Sequence, residues 1–116
     1  MNRISMEWKT VCSVDKLKNG SHESFEIDGK KFLVSRIDDK YYAIDGLCSH
    51  MGGDLGKGKT ENNNVICPKH HAVFNLENGH VEKNINGFFR AMTRKEAKDL
   101  HAYEIREENG NIEIGI

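Results

Sequence analysis

The sequence predicts an all-β fold of small antiparallel sheets with one short helix. Three observations carry that prediction. β-Branched and aromatic residues cluster in short runs bounded by Gly, Asp and Asn. Asp28-Gly29 stands between two such runs, where a tight turn needs residues that accept positive φ, and Glu108-Asn109-Gly110-Asn111 joins the last two. Towards the end of the chain, 102–105 and 112–116 alternate apolar with small or polar residues, the period of a half-buried strand.

In chain order, strands are expected over 7–12, 22–27, 31–37 and 41–44, with Asp28-Gly29 and Asp38-Asp39-Lys40 as the reversals of a meander. The segment 13–19 is short and turn-rich, and Ser13 could cap a single turn ahead of Gly20. From Gly46 to Gly58 no period of 2 or 3.6 survives, because five glycines fall among Cys48, His50, Met51 and Asp54. That stretch reads as a structured loop. A strand over 64–67 leads into a second loop at 68–71, 72–76 is extended, and Asn78-Gly79 turns the chain back. Thr93-Arg94-Lys95-Glu96 matches a capping box, which predicts a short helix reaching about Leu100. The strands over 102–105 and 112–116 form a closing hairpin.

At 116 residues the chain has the length of a single domain with one modest core. Lys plus Arg number 17 against 18 Asp plus Glu, a formal net charge of -1 that gathers neither nucleic acid nor anionic lipid. No apolar run approaches the roughly 20 residues that cross a bilayer, and the first residues lead into Glu7 and Lys9 and not into an apolar signal segment. A cytoplasmic protein is expected. Three cysteines, Cys12, Cys48 and Cys67, form an odd set that argues against a disulfide framework and for metal or buried-thiol roles.

The chemistry lies in Cys48-Ser49-His50 and Cys67-Pro68-Lys69-His70, two Cys/His pairs in loops marked by glycine or proline. Each loop offers one thiolate and one imidazole. Residues two apart in extended backbone point the same way, so Cys48 and His50 could reach adjacent metal atoms while Cys67 and His70 approach from the other side. A two-iron cluster suits this arrangement. Mononuclear zinc is the competing reading, since Cys2His2 is also a zinc set; zinc sites usually begin with C-x2-4-C, which neither pair has.

These two loops resemble the Rieske family, whose pattern is C-x-H in the first loop and C-P-x-H in the second at about this separation. Gly52, Phe74 and Gly79 match it as well. The resemblance implies one Rieske-type [2Fe-2S] cluster, with Cys48 and Cys67 on the inner iron and His50 and His70 on the outer one. It implies a Rieske-like fold in which 1–45 and 75–116 form a base and 46–74 a cluster-binding subdomain. Two neutral imidazoles in place of two thiolates leave the oxidised cluster formally neutral, which eases reduction relative to all-cysteine clusters. The implied function is one-electron transfer between redox proteins, from a reductase to an oxygenase or other acceptor, through transient contacts and without catalysis of its own. The alternative is an accessory subunit of a larger oxidoreductase, such as a nitrite reductase small subunit.

Two features depart from the family pattern: His71 stands where most members have glycine, and 85–100 replaces a short proline-containing connection. High-potential members carry an extra cysteine in each loop and a serine and tyrosine after the second histidine. Here Gly53, Lys69, Ala72 and Phe74 occupy those positions, which predicts a potential low in the Rieske range. Of the remaining candidates, Cys12 reads as a core thiol, and His22, His80 and His101 as surface residues. Leu47, Met51, Leu55 and Pro68 surround the ligands as a partly exposed apolar collar, and Lys57, Lys59 and Lys69 read as solvated.

Overall fold

The computed structural model describes residues 7–49, 52–69, 71–84 and 96–116. Among them are ten strands in two antiparallel sheets, as an all-β fold requires. The larger sheet contains β1 (Trp8–Ser13), β2 (His22–Ile27), β3 (Lys30–Ile37), β4 (Lys40–Asp45), β9 (Ala102–Glu108) and β10 (Asn111–Gly115), in the order β1-β10-β9-β4-β3-β2. The smaller contains β5 (Lys59–Glu61), β6 (Asn64–Ile66), β7 (Val73–Asn75) and β8 (Val81–Lys83), paired in sequence order.

Turn chemistry sets the registers. Asp28 and Gly29 have φ of 54° and 81°, Asp38 and Asp39 51° and 63°, Asn62 and Asn63 51° and 65°, and Asn109 and Gly110 52° and 79°. Two successive positive φ values give the turn whose twist matches that of the flanking strands, and Asp, Asn and Gly adopt them at least cost. Three of these reversals are those expected from the sequence. The fourth, Asn62-Asn63, joins β5 to β6, and β5 and β8 are three-residue strands too short to signal themselves by alternation.

β3 and β4 form a wall between two cores. Alternation along β3 sends Phe32 and Val34 to one face, with Leu17, Ala43, Ile112 and Ile114. Leu33 goes to the other face, joined by Ile44 of β4. Both faces are covered, so 32–35 is buried without interruption. The second core holds Leu55, Val65, Phe74 and Leu76 of the small sheet and its loops together with Cys48 and Cys67.

The small sheet is an excursion from the large one. β4 ends at Asp45 and β9 begins at Ala102, and the two pair through Ala43↔Tyr103 and Ile44↔Ala102. The stem is tied by the Asp45 N–H to the His101 carbonyl (3.0 Å) and by the His101 N–H to Asp45 Oδ2 (2.9 Å). At the far edge β1 lies on β10, and Glu7 and Ile116 exchange two backbone hydrogen bonds of 2.9 and 3.0 Å.

One expectation is corrected. The helix predicted over 93–100 begins outside the described residues, and its described part, 96–100, has no helical turn. Its amides are claimed by tertiary partners: Ala97 N–H by Asn84 Oδ1, Lys98 N–H by Ser49 Oγ and Leu100 N–H by the Gly79 carbonyl. Ala97 and Leu100 fall into the second core. Packing overrides a local capping signal of this size. The single turn after Ser13 is a 3-10 turn over Val14–Lys16, with Ser13 at its N-cap position but without a side-chain bond. A second 3-10 turn, Leu55–Lys57, follows the first loop and is capped by Asp54.

Candidate metal centre

The loops that carry Cys48 and Cys67 repeat one hydrogen-bond pattern. Cys48 donates its N–H to the Gly53 carbonyl (2.8 Å) and accepts the Gly52 N–H at its own carbonyl (2.9 Å). Cys67 donates its N–H to the Ala72 carbonyl (2.8 Å) and accepts the His71 N–H (3.0 Å). In each loop the fourth residue after the cysteine closes a turn in the left-handed region, Gly52 at φ 72° and His71 at φ 64°. Glycine takes that conformation freely, and histidine is among the few other residues found there with some frequency. The family's usual glycine and this chain's His71 thus meet one backbone requirement.

Both cysteines are buried, Cys48 at 4% exposure and Cys67 at 2%, in the same core. The loops face each other: a Cβ on Gly53 would lie 2.8 Å from Cys67 Sγ and 3.3 Å from Lys69 Cγ. The first loop leaves space beside the second loop's sulfur that only glycine leaves open. His50, His70 and Met51 lie outside the described residues, and no group of three or more His, Cys, Asp or Glu side chains converges among the described ones. Two buried thiol side chains in facing turns, the first of them lined by Gly52 and Gly53, fit the inner half of a two-cysteine, two-histidine cluster, and their soft sulfur donors suit iron–sulfur chemistry.

Asp54 anchors the first loop to the large sheet. Its Oδ1 accepts from the Gly56 N–H (3.0 Å) and from Ser24 Oγ (3.3 Å), and its Oδ2 accepts from Lys31 Nζ (3.2 Å). Burial works to raise its pKa, yet the Gly56 amide, Lys31 and Ser24 together hold the carboxyl below its ordinary value. His22, expected at the surface, is half-buried, and its Nε2 meets the Gly58 carbonyl at 3.0 Å, a second tie between β2 and the small sheet. Sequence reading missed both anchors, since a serine, a lysine and a histidine on strands carry no signal of what they face.

Around the cysteines, Leu47 is 44% exposed and Pro68 is exposed, whereas Leu55 is fully buried, so the apolar collar is narrower than expected. Lys57, Lys59 and Lys69 are exposed, as are His80 and His101. Cys12 is half-buried against the first core, where burial pushes its thiol pKa up.

Fold and loops together define an iron–sulfur module of two β sheets. Residues 7–87 match the model of the Rieske [2Fe-2S] domain. The chain belongs to that family and carries a Rieske-type [2Fe-2S] cluster. It is 31% identical to Sulredoxin of Sulfurisphaera tokodaii over 96% of this chain and 100% of that protein. It is 27% identical to the 3-phenylpropionate/cinnamic acid dioxygenase ferredoxin subunit of Photorhabdus laumondii over 91% of each. Among solved structures, the ferredoxin of carbazole 1,9a-dioxygenase from Nocardioides aromaticivorans IC177 superposes with a TM-score of 0.76 at 26% identity, covering 92% of this chain and 95% of that one. By contrast, the chain spans only 12% of apoptosis-inducing factor 3 of Mus musculus, 36% identical over 73 residues. Among the described residues no helix is long and apolar enough to cross a membrane.

Proposed function

We propose that Cys48 and Cys67 hold the inner iron of the cluster and His50 and His70 the outer iron, and that the chain carries single electrons in the cytoplasm from a reductase to an oxygenase or another acceptor. The observation that supports this most is the matched pair of loops, with both cysteines buried in one core and the first loop meeting the Cys67 sulfur at Gly53. Bound there, the cluster supplies reversible one-electron chemistry. The chain's part is to bury the two thiolates away from water, to hold each loop by its two backbone bonds, and to leave Leu47 and Pro68 exposed at the edge of the site. Residues 46–74 serve as the cluster-binding part, with β8 laid beside β7, and 1–45 and 75–116 as the base. Electrons leave on the histidine side through transient docking of under about 1,200 Å² in total, and the exposed Lys57 and Lys59 favour an acidic partner.

The test is metal analysis joined to substitution. Purified protein is expected to hold two irons and two acid-labile sulfides, in line with a Rieske centre. Cys48→Ser, Cys67→Ser, His50→Ala and His70→Ala should each lose the cluster, while His71→Ala keeps it. Bleaching by His71→Ala but not by His70→Ala would reassign the second loop, and one zinc without sulfide would overturn the cluster reading.

A further inference from the structure

Residues 96–101 run as a strap across the outside of the first cysteine loop. Ser49, next to Cys48, donates its hydroxyl to the Lys98 carbonyl (2.5 Å) and accepts the Lys98 N–H (2.8 Å). The Asn84 carboxamide reads the neighbouring residue in the same way: Nδ2 donates to the Ala97 carbonyl (3.0 Å) and Oδ1 accepts the Ala97 N–H (3.0 Å). Asp99 Oδ1 accepts the Val81 N–H (2.9 Å), and the Leu100 N–H reaches the Gly79 carbonyl (2.8 Å). Ala97 and Leu100, 5% and 6% exposed, pack into the core that contains both cysteines. A Cβ on Gly79 would come within 2.5 Å of the Leu100 carbonyl oxygen, so the strap lies directly on that turn.

From this geometry we infer that the strap is a clamp on the ligand loop, with Ser49 as its positioning residue. Ser49 acts by fixing the backbone beside Cys48, so that the loop cannot open and admit water or chelator to the cysteine sulfur. Elsewhere the loop is held by its own turn, by the Gly46 N–H on the Lys31 carbonyl (3.0 Å) where it leaves β4, and by Asp54, which lies six residues beyond Cys48. The strap is the tie directly beside Cys48. Opening of a loop is governed by the local bonds that must break, independently of global unfolding. The inference rests on Cys48 being a cluster ligand.

The experiment follows cluster loss in the intact protein. Under a fixed excess of an iron chelator, bleaching of the visible absorption should quicken about tenfold in Ser49→Ala, the effect of losing two neutral hydrogen bonds. Asn84→Ala, which removes both bonds to Ala97, should quicken it in the same direction, and Ser49→Thr should restore the wild-type rate. Because the two substitutions release one clamp, the double variant should bleach less fast than the product of the single effects predicts. A readout independent of cluster loss is hydrogen exchange in the cluster-loaded protein, where the Lys98 amide should exchange faster in Ser49→Ala while amides of β3 do not change. Unchanged bleaching in both Ser49→Ala and Asn84→Ala overturns the clamp, as does equal acceleration of the β3 amides, which marks a general loss of stability. Should Cys48→Ser keep its cluster, the ligand reading fails, and exchange at Lys98 still decides whether the strap holds the loop.

Discussion

Gly52 and His71 hold equivalent places: each follows its cysteine by four residues, returns its N–H to that cysteine's carbonyl and adopts a left-handed φ, 72° and 64°. An L side chain pays about 1–2 kcal/mol for that conformation. His71→Gly relieves this strain and in exchange adds about 0.5–1 kcal/mol of unfolded-chain freedom. The net change in unfolding free energy should stay within about 1 kcal/mol. Valine, stiff at χ1, should lower stability by about 1–2 kcal/mol at position 52, where glycine bears no such strain, and by less at 71, where histidine already bears it. Urea unfolding midpoints of the four proteins, wild type, His71→Gly, His71→Val and Gly52→Val, check this ordering.

Gly53 is constrained by space and not by φ. Its missing Cβ would fall 2.8 Å from Cys67 Sγ, closer than such atoms approach without displacement. In Gly53→Ala either the sulfur or the first loop has to move, and a sulfur tied to iron is the less able to do so. The variant should keep the β-sheet circular dichroism of the parent and purify with well under two irons per chain. Full iron content with an unaltered visible spectrum would exclude the close approach.

Asp54 links the first loop's stability to pH. Its folded pKa lies below the ordinary 3.8 because the Gly56 amide, Lys31 and Ser24 outweigh the effect of burial. A depressed carboxyl contributes stability that is complete above its unfolded pKa and is lost as pH falls through the folded value. Acidification below about pH 4 should therefore destabilise the wild type more than Asp54→Asn. At pH 7, where that contribution is complete, the wild type should be the more stable, and its lead over Asp54→Asn should shrink as pH falls. Thermal melts at pH 3 and pH 7 read this narrowing, and parallel curves for the two proteins would remove Asp54 from the account.

Ala72 is the second loop's counterpart of Gly53 and is fully buried, as is Phe74 two residues on. Neither side chain carries a hydrogen-bond donor. A hydroxyl donor placed there favours the reduced, more negative cluster by about 1.5 kcal/mol, which for one electron is about 60 mV. Ala72→Ser and Phe74→Tyr should each raise the midpoint potential by about that amount. Voltammetry that finds the wild type already above about +150 mV, or no rise in either variant, refutes this reading.

Much of the fold was legible where turns dictate it. Asp28-Gly29, Asp38-Asp39 and Asn109-Gly110 announce reversals because few residues accept their φ values, and 22–27 was placed to the residue. The matched loops were half legible: Gly52 advertises its left-handed turn, while His71 hides the same turn behind a side chain. The segment 96–100 misled because a capping box reports only local preference, and its amides found Ser49, Asn84 and Gly79 instead. Nothing in a one-dimensional pattern says that Ser49 faces Lys98, 49 residues away.

The paired Glu7 and Ile116 bring distant parts of the chain side by side between β1 and β10 of the large sheet. In a segment cut to 7–116 a few glycines would join them, and the Asp28-Gly29 turn, exposed and outside both cores, could be reopened in exchange. Such a circular permutant keeps all the ladders except the connection at one tip, so it should fold and keep the cysteine loops intact. The same adjacency makes the domain easy to graft: a host protein could accept it within a surface loop, entering and leaving at neighbouring points, with the redox end turned outward.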